Sequence, residues 1–339
     1  MCRSPRACPA LVVALALGSA GPTIARADGL WSGSFGATTN YILRGVSQTY
    51  GGGAVQLGGS YQSSLGWFAG AWGSNVDPYP SGVASKELDL YAAVRPVRNL
   101  DGVPTRFSGV DLVIVRENTE GLYSGIEATL ADGVVTTTKV ATEKACTRIA
   151  RWGFRYARQR GRKKVTVFHK ANIMKLTDGM FIRCARAVHD AEFAEIGYQE
   201  MIIDAGCMGL VQDPTRFDLL LLENLYGDVL SDLGAGLVGG LGVVPGANIG
   251  DQCAVFEAVH GSAPDIAGRN LANPLALLMS AVMMLNYLAE TREDPACAES
   301  AQRVKDAYNQ ALAQGQKTRD LGGTLGTAEF AAAVVAHLA

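Results

Sequence analysis

The feature that most limits what this chain can fold into is a rhythm that begins at Glu87 and runs to the C-terminus. Short, almost purely apolar runs alternate with stretches of helical period. DLVIV at 111–115, KVTVF at 164–168 and DLLLL at 218–222 are too short for amphipathic helices and read as strands. Between them, residues 143–160 form an amphipathic helical pattern with Thr142 placed as its cap. Residues 228–238 and 274–288 are also helical, with Pro274 at a first-turn position where its missing N–H costs nothing. Strands alternating with helices predict an α/β architecture. No internal repeat interrupts the pattern.

The first 86 residues have another texture. Arg3 and Arg6 precede the apolar run LVVALAL, and Ala25-Arg26-Ala27 then offers a small-residue cleavage site. That is the order of a secretory signal peptide, so residues 1–27 are assigned as one. From Asp28 to Ser85 only Asp28, Arg44 and Asp77 are charged, while glycines and aromatics are dense. Val55, Leu57, Gly59 and Tyr61 alternate with Gln56, Gly58 and Ser60, a period of two that predicts strands. Residues 28–86 are therefore expected to be β-rich, either as a soluble sheet or as hairpins of a membrane β-barrel.

Composition narrows the function classes. A net charge of −2 over 339 residues gives no concentrated basic surface, so no nucleic-acid partner is expected. Beyond the leader, Cys146, Cys184, Cys207, Cys253 and Cys297 are odd in number and lack a C-x-x-C pair. They read as free thiols of a reducing compartment, which predicts a cytoplasmic body and conflicts with the export signal.

Four clusters could carry chemistry. In NLYGDVLSD, Asp228 and Asp232 are four apart and share one helix face, delivered there by an apolar strand. Such a pair can face water, or can offer hard oxygen ligands to Mg²⁺ or Mn²⁺; ligands gather at the carboxyl ends of α/β strands. Asp204 closes another apolar strand, MII. In VRENTEGLYSGIE, Arg116 stands at a strand end where a guanidinium can grip a carboxylate or serve as a surface ion-pair partner. Tyr123 is either a packed aromatic or a proton donor. Lys170 and Asn172, in HKANIMK, follow a third strand, and Arg95 is a further anion-binding candidate. Finally, HGSAPDIAG is a glycine- and proline-punctuated loop before a helix whose backbone could approach a ligand closely. No G-x-G-x-x-G accompanies it.

Together and in this order, ENTEGLYSGIE, HKANIMK, NLYGDVLSD, GGLGVVPGANIG and HGSAPDIAG resemble the isocitrate branch of the isocitrate/isopropylmalate dehydrogenase family. The resemblance covers residues 87–339. It implies a small, clasp-bearing domain at about 111–240, with the remainder in a large domain. It implies NAD- and Mg²⁺- or Mn²⁺-dependent oxidative decarboxylation of isocitrate to 2-oxoglutarate, with homoisocitrate or 3-isopropylmalate as alternative substrates. The implied roles are substrate carboxylate binding by Arg95 and Arg116, with Asn172 beside substrate and nicotinamide. Asp204, Asp228 and Asp232 would bind the metal, Asp204 and Lys170 reaching across a homodimer interface. Tyr123 would protonate the enolate carbon and Lys170 assist at the hydroxyl. His260, Gly261, Ser262, Ala263, Pro264, Asp265, Ile266 and Asn273 would form the adenosine pocket. Asp265 would accept the ribose hydroxyls and repel a 2′-phosphate, favouring NAD.

SGSFGATTNYILRGVSQT, AVQLGGSY and GWFAGAWGSNVD, in residues 29–91, resemble the opening of TorF-type porins. Members of the dehydrogenase family open instead with a strand and a glycine-bearing turn, and carry a Ser-x-Asn-x-x-Leu-Arg segment just before LDLYA. Neither is present here; the porin-like stretch stands in their place. The chain therefore reads as a fusion: a dehydrogenase fold with an incomplete large domain and impaired activity, preceded by a short β-rich segment. The rival reading is a non-enzymatic outer-membrane protein, with the membrane as its partner.

Overall fold

In the computed structural model, the described residues are the strands within 30–74 and residues 90–338, except Gln252. The expected leader at 1–27 lies outside them. The chain divides into two compact units, 1–89 and 90–339. In the first, β1 (Leu30–Thr38), β4 (Ala54–Gln62) and β5 (Phe68–Ser74) make an antiparallel sheet in that order, and β2 (Ile42–Leu43) pairs with β3 (Val46–Ser47). Residues 35 and 57 are register partners in the first pair, and 57 and 73 in the second. Antiparallel hairpins are what the period-two alternation predicts.

The second unit is built on seven strands: β6 (Leu90–Arg98), β7 (Asp111–Glu117), β10 (Lys164–His169), β11 (Gly197–Ile202), β12 (Leu219–Leu222), β13 (Pro245–Gly250) and β14 (Ala254–Ala258). Their order is β11-β10-β12-β7-β6-β13-β14. The run from β11 to β7 is parallel, and β6, β13 and β14 are added antiparallel. Pro96 sits inside β6, but β13 pairs only with residues 90–94, so the missing N–H falls where that edge of the strand is free.

Helices cover both faces, which explains why the central strands are apolar without alternation. On one side, α1 (Glu143–Gln159) and α2 (Thr177–Glu192) pack Ile149, Phe154, Phe181 and Val188 against Val113, Val115, Leu219 and Leu221. On the other, α4 (Asn224–Val238), α5 (Leu275–Arg292) and α6 (Pro295–Ala313) pack Leu230, Leu237, Met279 and Tyr308 against Leu112, Ile114, Leu220 and Leu222. Successive residues of β7 and β12 thus point into opposite cores. The unit is completed by α3 (Ile203–Gln212), α7 (Thr327–Ala336) and a projecting hairpin, β8 (Gly121–Ala131) with β9 (Val134–Val140).

Thr142 caps α1 as expected, its hydroxyl accepting from the Ala145 N–H at 3.1 Å. Three local expectations are corrected. The metal-candidate helix begins at Asn224, a turn before Asp228, because the Glu223 carboxylate caps it by accepting from the Tyr226 N–H at 3.0 Å. Pro274 is the residue before α5, not inside it, and α5 runs a turn further, to Arg292. The strand before Asp204 stops at Ile202; Ile203 already belongs to α3, and Asp204 lies in that helix's first turn. Among the described residues no helix is long and apolar enough to cross a membrane.

Candidate active site

Arg116 and the first turns of α4 meet where β7 and β12 end, with Leu222 and Arg116 as register partners. The approach is close because residue 227 is glycine: a Cβ there would lie 2.5 Å from Arg116 Cβ. Arg116 Nε and Nη2 donate to Asn224 Oδ1 at 2.9 and 2.6 Å, and Nη1 forms an ion pair with Asp228 Oδ1. Tyr123 projects from β8 with its hydroxyl donating to Asp228 Oδ2 at 2.6 Å, and its ring centroid lies 5.0 Å from the Arg116 guanidinium. The hydrogen bond to that carboxylate, reinforced by desolvation, raises the pKa of Tyr123, so the phenol keeps its proton. Asp232 is exposed one turn on, along the same face as Asp228.

Lys170 and Asp204 form a second group. Lys170 follows β10 and its Nζ donates to Asp204 Oδ1 at 2.6 Å; that ammonium holds the exposed Asp204 carboxyl below the usual range. Asn172 is exposed on the same loop. Among the described residues, no three His, Cys, Asp or Glu side chains come together in a metal-sized group. A single chain therefore brings Asp228 and Asp232 onto one face but leaves Asp204 elsewhere, engaged with Lys170. As hard oxygen donors on adjacent turns, the first two fit Mg²⁺ or Mn²⁺.

Arg95 sits on the neighbouring strand β6, close enough for the charges of Arg116 and Asp228 to act on it. It is buried on β6, with Nη1 donating to the Val94 and Ala247 carbonyls and Nη2 to Asn248 Oδ1. Burial lowers its pKa, and Glu257 lies 3.9 Å away. Much of its donor capacity is thus spent holding β13. The HGSAPDI loop follows the edge strand β14. His260 and residues 261–265 are exposed, and Ala263 takes a left-handed φ of 42° that opens a short 3₁₀ turn at Pro264–Ile266. Asn273 is tied back by donating to Asp320 Oδ2 at 3.0 Å.

The structure adds residues that sequence reasoning passed over. Asn224 orients Arg116 and donates to the Glu120 carbonyl at 2.8 Å. Lys139, Asp178, Glu223 and Tyr226 form a polar cluster below the site. Asn224 is visible as the first letter of NLYGDVLSD; Lys139 is not, because it sits next to last in an exposed strand of valines and threonines.

Comparisons with known proteins give the family. Residues 71–334 match the family described as isocitrate/isopropylmalate dehydrogenase, and residues 25–100 match one described as a bacterial protein of unknown function. The two matches overlap, and Glu87 falls within the overlap. Catalytic subunit 5 of the mitochondrial NAD isocitrate dehydrogenase of Arabidopsis thaliana is 51% identical over 255 residues, 75% of this chain and 66% of that protein. The human mitochondrial NAD isocitrate dehydrogenase subunit alpha is 48% identical, over 72% of this chain and 65% of its own length. The chloroplastic 3-isopropylmalate dehydrogenase of Solanum tuberosum is 50% identical, over 68% and 63%. The chain thus spans slightly less than two-thirds of these relatives. The crystal structure of isocitrate dehydrogenase from Methylococcus capsulatus superposes with a TM-score of 0.68 at 44% identity, covering 77% of this chain and 79% of that one. The chain belongs to the isocitrate/isopropylmalate dehydrogenase family.

Proposed function

We propose that residues 87–339 carry the machinery for NAD-dependent oxidative decarboxylation of isocitrate to 2-oxoglutarate, at a site completed by a second copy of the chain. The observation that carries this reading is the Arg116–Asp228–Tyr123 constellation. It sets a carboxylate clamp, a metal-type acid and a protonated phenol within one hydrogen-bonded group. Arg116 and Arg95 hold substrate carboxylates, with Asn172 beside the reacting carbon. Mg²⁺ or Mn²⁺ on Asp228 and Asp232, with Asp204 from the second copy, would lower the pKa of the substrate hydroxyl and spread the charge of the enolate. Lys170 would assist proton transfer at the substrate hydroxyl, and NAD when bound would supply the hydride acceptor for C2. Carbon dioxide then leaves, and Tyr123 returns a proton to the carbon it vacates. The loop at 260–266 with Asn273 holds the adenosine end.

The dimer is proposed because Lys170 and Asp204 stand away from Asp228 and Asp232 in one chain. The hairpin that bears Tyr123 also exposes Ile126, Leu130, Val134 and Val135. We read 111–240 as the small domain and the rest of 90–339 as a large domain lacking its opening strands. Residues 28–86 are read as a porin-derived segment with no part in the chemistry; its three principal described strands are too few to close a barrel. The five free cysteines support a reducing, cytoplasmic setting for the body.

The test is NADH formation with isocitrate, homoisocitrate and 3-isopropylmalate, by the chain itself and by a hybrid in which residues 1–86 are replaced with the opening segment of an isocitrate dehydrogenase. Slow turnover by the first and fast isocitrate turnover by the second is expected. A folded, metal-binding hybrid that stays inert, or one that prefers 3-isopropylmalate, overturns the reading. The potato relative makes 3-isopropylmalate the second reading.

A further inference from the structure

Strand β9 is exposed along Val134–Thr138, yet its next side chain, Lys139, is only 11% exposed. The ammonium reaches inward between two carboxylates. It donates to Asp178 Oδ1 at 2.6 Å and lies 3.5 Å from Glu223 Oε2. It also stands 4.8 Å from the centroid of the Tyr226 ring, a cation–π contact. Asp178 is 1% exposed, and its other oxygen accepts from the Lys170 backbone N–H at 2.6 Å and from the Tyr226 hydroxyl at 3.2 Å. Glu223 is the cap of α4, and its Oε2 is buried with no hydrogen bond in the structure. Lys139 is thus the nearest charge to both acids.

Each element that Lys139 joins carries part of the proposed machinery. β9 is zipped to β8, which bears Tyr123. Asp178, in the first turn of α2, holds the backbone of Lys170. Glu223 starts the helix that carries Asn224 and Asp228. The adjoining cavity is about 20 Å³, the size of a single water, so bulk solvent cannot take over the ammonium's work. One positive and two negative charges at this depth add little net stability. Removing the positive one leaves two uncompensated acids under the site. In some proteins buried ionic groups select one arrangement among alternatives.

We propose that Lys139 is a positioning residue that locks the hairpin, the Lys170 loop and the start of α4 into one mutual arrangement. It touches no reacting atom and acts through Asp178 and Glu223. This deepens the dehydrogenase reading and rests on it for its consequence in turnover, whereas the tether itself is measurable without turnover.

The experiment compares the full chain with Lys139→Met, close in shape but uncharged, and with Lys139→Arg. Amide hydrogen exchange is followed in peptides covering 170–176 and 223–228, with 112–115 and 219–222 as core references. In Lys139→Met, exchange in the first two segments rises about tenfold or more while the references hold, and Lys139→Arg restores most of the protection. In the hybrid carrying a dehydrogenase opening segment, kcat with isocitrate falls at least about tenfold, KM for NAD stays unchanged, and Lys139→Arg recovers most of kcat. Unchanged exchange in both segments overturns the proposal. An equal rise in the references also overturns it, because Lys139 then only stabilises the fold. If Lys139→Met does not fold, Tyr226→Phe removes one bond to Asp178 without stranding a charge. It should raise exchange at 170–176 about threefold, and no rise there overturns the proposal. The expected exchange pattern in a protein without isocitrate turnover in any form upholds the tether and sinks the dehydrogenase reading, so the two failures are distinguishable.

Discussion

Two glycines nine residues apart on α4 should respond to alanine in opposite directions. At Gly227 an added Cβ would lie 2.5 Å from both Cβ and Cγ of Arg116. Carbon atoms in good contact sit at about 3.5–4.0 Å, so roughly 1 Å must be found. Arg116 Cβ cannot supply it, because its strand is paired on both sides, to Leu222 and to Ala93. The helix must move, and overpacking of this kind costs about 1–3 kcal/mol. The shift also loosens the bonds from Arg116 to Asn224, about 1 kcal/mol each. Better helix propensity returns about 1 kcal/mol. The net expectation for Gly227→Ala is a loss of about 1–3 kcal/mol. At Gly236 nothing lies within 4 Å of the same added atom. Gly236→Ala should therefore gain about 0.5–1 kcal/mol from propensity and a less flexible unfolded chain. At about 2–4 °C per kcal/mol, the two variants should separate by roughly 3–16 °C in thermal unfolding followed by circular dichroism. Equal midpoints would refute the close-packed contact between β7 and α4 on which the placement of Arg116 and Asp228 depends.

Other outcomes follow from the site. Asp228→Asn should weaken Mn²⁺ binding at least about tenfold by calorimetry on the hybrid, and an unchanged affinity removes Asp228 from the metal. Tyr123→Phe should lower kcat of the hybrid by about 10²-fold with little change in the KM for isocitrate, as for loss of a general acid; an equal change in both would make it a binding group. NADP should bind at least about tenfold more weakly than NAD, and Asp265→Asn should narrow the gap; comparable binding of the two by the parent contradicts the ribose role of Asp265. Burial, with Glu120 nearby, pushes the Cys146 thiol up to about 12. Its folded pKa is raised, so the contribution is fully present below the ordinary thiol range near 9 and is lost as pH rises towards 12. Cys146 should resist alkylation at pH 8 in the folded chain and react after unfolding; labelling of the native protein would show that α1 opens.

Much of this protein could be read from local pattern. FDLLLL had to be a strand buried on both faces, since no other short element tolerates unbroken apolar side chains, and Thr142 had to begin a helix because its hydroxyl replaces a missing backbone partner. The change of texture near Glu87 marked two kinds of chain, because charge density and period are properties of short windows. What could not be read is whatever depends on residues far apart in sequence. Arg116 and Asp228 are 112 positions apart, and Lys139 and Asp178 are 39 apart. The strand order β11-β10-β12-β7-β6-β13-β14 brings the first pair together, and the placement of the β8–β9 hairpin brings the second. The strand order also withdraws Arg95 into a buried position on β6 and leaves Asp204 paired with Lys170 instead of with the acids of α4. Sequence determines which groups are available and which element each rides on. Tertiary packing decides which of them meet and which are desolvated, because burial and partnership belong to the whole arrangement and to no window of the chain.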